Sequence, residues 1–329
     1  MNSLLSDAGP LLRIEGLSVS FKTNVGRVKA AENVCFELYR DETLALVGET
    51  GCGKSVVASS IMQLLPHNAS VQGSAVYAGR DLLSLGEREI AGIRGSEIAI
   101  VFQNPSLALN PIMRVGEQIA EMLRLRRGFS HISSLQLAED MLCRLGLRGW
   151  DNMKMYPFQF SGGMNQRVMI ATTMILSPKI IIADEPSKGL DEALAGEVMA
   201  EMVKIKHQMG ASLLLITHDL MLARDISDRM AVMYCGEIME IGKSQDVFHR
   251  PLHPYTIALL GCLPERGFQP IPGSSPSMIN PPAGCKFYPR CPNRLEKCRR
   301  KPKMRQVEGI KTVSDNNECI GREVRCWLY

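Results

Sequence analysis

The chain lacks several things. No apolar run in its 329 residues approaches the ~18 that span a bilayer as a helix, and the longest runs, around Ile180–Ala183 and Leu213–Ile216, have the length of strands. The first residues, Met1-Asn-Ser-Leu-Leu-Ser-Asp7, hold no basic segment followed by an apolar stretch, so no secretory signal is expected. Strong charge of one sign is missing too: 38 Lys and Arg stand against 34 Asp and Glu, a formal +4, and no nucleic-acid partner is expected. There is no internal repeat and no C-x2-C pair, which excludes a zinc-ribbon pattern. What remains is a cytosolic protein whose membrane role, if it has one, is peripheral. Its 45% hydrophobic and 22% charged residues are those of an ordinary globular chain. Its length is enough to bury a full α/β core with about sixty residues to spare.

The pattern of what is present is α/β. Leu12–Phe21 and Ala31–Leu38 alternate like half-buried strands, and Thr43–Val47 is a continuous apolar run suited to a central parallel strand. A helical stretch, Ser55–Leu65, follows and stops at Pro66. After a strand at Glu97–Phe102 the pattern turns mostly helical over about 105–170. Strands then return at Lys179–Ala183, Ser212–Ile216 and Arg229–Tyr234, with a helix near Leu194–Met209. The expected fold is a mainly parallel sheet with an antiparallel β subdomain and an inserted α-helical subdomain. The expected domains are 1–265 for the α/β body, 266–284 for a Pro/Gly-rich linker, and 285–329 for a cysteine-rich extension.

Four sets of residues carry chemistry. Gly48-Glu49-Thr50-Gly51-Cys52-Gly53-Lys54-Ser55 follows a strand and opens a helix. Its glycines let backbone N–H groups turn inward around a β-phosphate, Lys54 is placed to bridge the β- and γ-phosphates, and Ser55 to bind Mg2+. Asp184-Glu185 stands directly behind the apolar strand Ile180–Ala183, so both acids point into a ligand crevice. Asp184 suits the Mg2+ shell, and Glu185 suits polarising the attacking water. Gln103 and His218 occupy two further strand ends, where Gln103 could touch Mg2+ or water and His218 the γ-phosphate. Ser161-Gly162-Gly163-Met164 opens another helix and is a second anion cradle. One phosphate loop does not need two cradles, so the second is expected to serve a nucleotide bound mainly by a facing subunit.

In order and spacing this set resembles the ATPases of ABC transporters, over residues 12 to about 265: the phosphate loop, Gln103, Phe160-Ser-Gly-Gly-Met164, Ile181-Ile-Ala-Asp-Glu-Pro186, Leu190-Asp191 and His218. The resemblance implies a head-to-tail dimer with each ATP between one subunit's phosphate loop and the other's Ser-Gly-Gly turn. It also implies Phe21 against adenine and Leu190-Asp191 as the loop that follows the catalytic acid. Phe102–Pro111, Gly162–Arg167, Asp228–Tyr234, His253–Leu260 and Asn280–Cys285 are similar to the branch that imports dipeptides, oligopeptides or nickel. That branch implies a homologous second ATPase subunit, two permease subunits, an extracytoplasmic solute-binding protein, and a place on the cytoplasmic face of the membrane. Departures are Phe158 where His is expected, Asn165 where Arg is usual, and Ser187-Lys-Gly-Leu190. None removes a group needed for hydrolysis.

Of ten cysteines, Cys285, Cys291, Cys298, Cys319 and Cys326 crowd the last 45 residues, where a reducing cytosol favours metal over disulfides. In the peptide-importer branch similar tails imply a 4Fe-4S cluster on Cys285, Cys291, Cys298 and Cys326, with Cys319 a competing fourth ligand and Zn2+ the alternative metal. From Cys285 to Arg305 nine Lys or Arg accompany one acid, Glu296, and would offset a negative cluster. The rival readings are an exporter or a DNA-repair ATPase with a zinc-binding tail.

Overall fold

A computed structural model describes residues 9–307 and 321–329. They divide into two compact units, one formed by the chain up to Leu85 together with Thr217–Tyr329, the other by Gly86–Ile216.

The first unit holds an antiparallel sheet in the order Gly26–Leu38, Leu12–Thr23, Ala69–Tyr77, Arg80–Asp81. Leu12 pairs with Leu38 and Ile14 with Phe36. Register shifts follow between Ile14 and Leu17, where a bulge lets the strand twist. A second set of strands runs Arg305–Gln306, Glu323–Val324, Glu237–Lys243, Arg229–Tyr234, Thr43–Val47. Thr43–Val47 is buried at all five positions and lies parallel to Arg229–Tyr234, as its unbroken apolar sequence requires. The other three strands join antiparallel, so residues close to the C-terminus extend a layer that starts at residue 43.

Ion pairs hold that extension in place. Arg322 and Glu240 meet at 3% and 0% side-chain exposure. Lys301 reaches Glu237 at 2.6 Å and Glu32 at 2.7 Å, and Lys286 reaches Glu32 at 3.0 Å. Burial alone would raise the Glu32 carboxyl, but Lys301 and Lys286 outweigh it and hold it at about 2. Phe287 is fully buried with its ring 5.5 Å from Tyr234 and 5.4 Å from Tyr255.

The second unit stacks three parallel strands, Ser212–Thr217, Ile180–Asp184 and Ile98–Val101, almost wholly buried. Val101 pairs with Ala183 and Asp184 with Ile216, so the three strands end together at one carboxyl edge. Between the first two strands in the sequence lie helices Pro105–Ala108, Val115–Arg127, His131–Arg144, Trp150–Lys154 and Gly162–Met174. Their boundaries follow their side chains. Asn104, Ser130 and Ser161 each accept a hydrogen bond from a first-turn N–H. Val115–Arg127 carries Glu117 in its first turn, Arg124, Arg126 and Arg127 in its last, and stops at left-handed Gly128. No helix among the described residues is long and apolar enough to cross a membrane.

Candidate active site

In the first unit the strand Thr43–Val47 delivers the chain to Gly48, and the helix Lys54–Ile61 receives it after Gly53. Two glycines leave no room for a side chain. A Cβ on Gly48 would stand 2.1 Å from the Met233 carbonyl oxygen, and one on Gly53 2.0 Å from that of Ala30. Both also adopt positive φ, 155° and 108°. The loop therefore lies tight on the strands around it. The Lys54 ammonium is buried inside the loop and donates to the carbonyls of Gly48 at 2.8 Å and Glu49 at 3.1 Å. Ser55 is exposed at the first turn of the helix, whose N-terminal dipole favours an anion. Cys52 is buried, and burial raises its thiol pKa, so it is a packing residue rather than a reactive one. Phe21, expected near adenine, is half-buried on its strand and pairs with Val28 and Ala69.

The phosphate loop is also held from outside, which the motif gave no reason to expect. The Glu49 backbone N–H donates to the Tyr255 hydroxyl at 3.1 Å. Tyr255 belongs to the helix Pro254–Gly261, which starts at His253, whose Nδ1 accepts the Tyr255 N–H at 2.9 Å. Burial holds the His253 imidazole down, at about 3, so it is neutral and Nδ1 is free to accept. The Glu240 carboxylate takes the N–H groups of Leu252 and His253, both at 2.9 Å. Thus the His-Pro-Tyr segment that distinguished the branch in sequence braces the loop.

In the second unit the carboxyl edge gathers Gln103, Asp184 and Glu185, because Val101 and Ala183 are register partners. Glu185 is buried, with φ +49°, and its N–H donates to the Ile216 carbonyl at 2.8 Å. A non-glycine residue in this region is strained, and such strain concentrates at functional positions. His218 stands exposed directly after the strand Ser212–Thr217. Ser161 caps Gly162–Met174 by accepting the Met164 N–H at 3.3 Å, with Ser161 and Gly162 exposed. Gly163 is buried, and a Cβ there would meet Leu194 at 2.5 Å. Asp191, after Leu190, caps Glu192–Met209 through the Leu194 N–H at 2.9 Å.

Asn165 and Phe158 acquire physical accounts. Asn165 is buried and its amide donates to the Pro157 carbonyl at 2.9 Å, fixing the turn that leads into the Ser-Gly-Gly segment. Phe158 is exposed and stacks on Tyr156 at 5.5 Å.

In the extension, Cys285, Cys298 and Cys326 are buried and Cys291 is partly so. Burial chiefly, with lesser contributions from Cys298, Cys326 and Cys291, pushes the Cys285 thiol up to about 12. The Cys285 N–H also bonds the Cys298 carbonyl at 2.9 Å. Among the described residues, no group of three or more His, Cys, Asp or Glu could hold a metal ion. Cys319 lies outside the described residues.

The ABC transporter family pattern matches residues 31–188, and that of the oligopeptide/dipeptide transporter C-terminal region matches 239–298. The chain is 41% identical over 326 residues to a dipeptide transport ATP-binding protein, DppD, of Bacillus subtilis, covering 97% of this chain and 94% of the relative. It is 42% identical to the oligopeptide transport ATP-binding protein OppD of Salmonella typhimurium, over 90% of each. Among solved structures it resembles a dimeric, post-hydrolysis ATP-binding cassette, MJ0796, bound to ADP and phosphate. That likeness has a TM-score of 0.64 and 26% identity over 71% of this chain and 98% of that one. The chain belongs to the ATP-binding subunits of ABC transporters, in the branch of the dipeptide and oligopeptide transport proteins.

Proposed function

We propose that this chain is the ATP-hydrolysing subunit of a peptide importer. The observation that carries the reading is the likeness, along 97% of the chain, to a dipeptide transport ATP-binding protein, together with the match of residues 239–298 to the oligopeptide/dipeptide C-terminal region. The relatives above are peptide-transport proteins, which favours peptides over nickel or a metallophore and supports neither an exporter nor a DNA-repair role.

Each residue set has a task in that reading. Lys54 and the N–H groups of residues 48–55 take the phosphates, and Phe21 takes adenine. Ser55, Gln103 and Asp184 would hold Mg2+, which would supply charge neutralisation on the phosphates. Glu185 polarises the attacking water, and His218 contacts the γ-phosphate. Ser161–Met164 and Leu190-Asp191 serve the nucleotide shared with a homologous ATPase partner. Two permeases and an extracytoplasmic solute-binding protein complete the assembly, which places this chain on the cytoplasmic face.

The finer reading of the tail is a 4Fe-4S cluster on Cys285, Cys291, Cys298 and Cys326. The resemblance to the peptide-importer branch supports it, since the match to the oligopeptide/dipeptide C-terminal region takes in Cys285, Cys291 and Cys298, and Zn2+ is the alternative metal.

Deletion of the gene followed by uptake of radiolabelled di- and oligopeptides, and of nickel, tests the function. Peptide uptake should fall to background and return with the wild-type gene; unchanged peptide uptake, or loss of nickel uptake alone, would overturn it.

A further inference from the structure

The phosphate loop contains an acid at its second position, and an anion there opposes the binding of another anion. Glu49 is 27% exposed at the side chain, and the Arg290 guanidinium faces it. Arg290, 7% exposed, donates through one nitrogen to both carboxylate oxygens of Glu49, at 3.2 and 3.3 Å. The same nitrogen reaches the Tyr234 hydroxyl at 3.2 Å and the Ser275 hydroxyl at 3.1 Å, while Ser275 donates to Glu49 at 2.5 Å. The other Arg290 nitrogens donate to the carbonyls of Pro272, at 2.9 Å, and Ile271. Arg290 comes from the cysteine-rich extension, one residue before Cys291, and is 241 residues from its partner. It is thus tied to the linker backbone and aimed at the phosphate loop.

We propose that Arg290 is a positioning residue for nucleotide binding, neutralising Glu49 and holding its carboxylate away from the phosphate cradle. The extension is then a working part of the ATP site rather than an appendage to it. Coulomb repulsion between an uncompensated carboxylate and the two to three net charges of a bound triphosphate about 10 Å away, at the dielectric of water (about 80), corresponds to a loss of affinity of about fivefold to tenfold. The inference rests on the ATP-binding reading above, and the experiment separates the two.

Full-length protein is titrated with the fluorescent analogue mant-ATP in the presence of Mg2+, for wild type, Lys54→Ala, Arg290→Gln, Arg290→Lys, Glu49→Gln and the double variant Glu49→Gln/Arg290→Gln. Wild type that fails to bind, or Lys54→Ala that binds like wild type, sinks the ATP-binding reading itself. Given that wild type binds, Arg290→Gln should raise Kd about fivefold to tenfold. Arg290→Lys, which keeps the charge, should stay within about threefold of wild type. The deciding arm is the double variant. Removing the carboxylate removes the reason for the cation, so Kd should return to within about twofold of wild type. A purely structural Arg290, needed only for Pro272 and Ile271, would leave the double variant as weak as the single one, and that outcome overturns the proposal. So does wild-type affinity in Arg290→Gln. Should Arg290→Gln fail to fold, a fivefold rise of Kd in Arg290→Lys or in Glu49→Gln overturns it, and near-wild-type affinity in both supports it.

Discussion

Lys54 is buried against the carbonyls of its own loop, 2.8 Å from Gly48 and 3.1 Å from Glu49, so its charge is held ready inside the phosphate cradle. Replacing it with Ala removes a charge-assisted phosphate contact of about 1.5–3 kcal/mol. Nucleotide affinity should fall by at least tenfold in an equilibrium titration, and native affinity would remove Lys54 from the site. Glu185 predicts the opposite split. In the proposed function its carboxylate serves the hydrolytic step and not phosphate binding, so Glu185→Gln should keep ATP affinity while turnover by the assembled transporter drops at least a hundredfold, within the range of a lost general base. Unimpaired hydrolysis would sink that role. Both could be read as candidates in the sequence, Glu185 because it follows the apolar run Ile180–Ala183 and Lys54 because it closes the glycine-rich loop after Thr43–Val47. What anchors them was not legible. Nothing about Tyr255 or Arg290 in sequence says that they reach a loop more than two hundred residues earlier.

The helix Pro254–Gly261 depends on a proton being absent. His253 caps it with a neutral Nδ1, burial keeps the imidazole at about 3 against an ordinary 6.5, and the Arg325 cation also opposes a second positive charge. Between pH 6.5 and about 3 the unfolded chain binds a proton that the folded chain does not. The folded state is therefore favoured above pH 6.5 and loses about 1.4 kcal/mol for each pH unit below it. The melting temperature should drop between pH 7 and pH 5.5. The drop should be smaller in His253→Asn, which keeps a capping acceptor without a titrating ring, and equal slopes in the two proteins would remove His253 as the cause. At this scale the expected strands Thr43–Val47 and Arg229–Tyr234 match the observed ones, and the expected helix Leu194–Met209 begins two residues earlier, at Glu192. Ala69–Tyr77 escaped the reading because it is exposed from Ser70 to Gly73 and interrupted by that glycine, which confines its alternation to the last four residues. Glu237–Lys243 escaped for another reason. It is buried at six of seven positions, yet carries Glu237 and Glu240, whose cations come from residues 286, 301 and 322. A buried strand with acids in it cannot be recognised before its partners are known.

Those partners decide how the whole molecule holds together. Within the first unit, the extension supplies Arg322 to Glu240, Lys286 and Lys301 to Glu237 and Glu32, and Phe287 to the ring cluster of Tyr234 and Tyr255. Were it an independent domain on a flexible linker, a chain ending at Gly284 would keep the melting temperature of the rest. The buried acids argue otherwise. Removing one partner of a buried pair costs about 3–5 kcal/mol, and two such sites are lost together with a buried phenylalanine worth about as much again. That sum is comparable to the 5–15 kcal/mol that typically holds a protein folded. The truncated chain should be insoluble, or melt many degrees lower, and an unchanged melting temperature would establish an autonomous ATPase body. Adding Glu237→Gln and Glu240→Gln to the truncated chain separates the causes. If stranded carboxylates are the main cost, neutralising them restores part of the lost stability, measured by thermal melting or by the soluble fraction. If the aromatic contact and the paired strand Glu323–Val324 dominate, the double substitution recovers nothing. Partial recovery is expected, because Glu237 and Glu240 are fully buried and each carboxylate left without its cation must be desolvated alone.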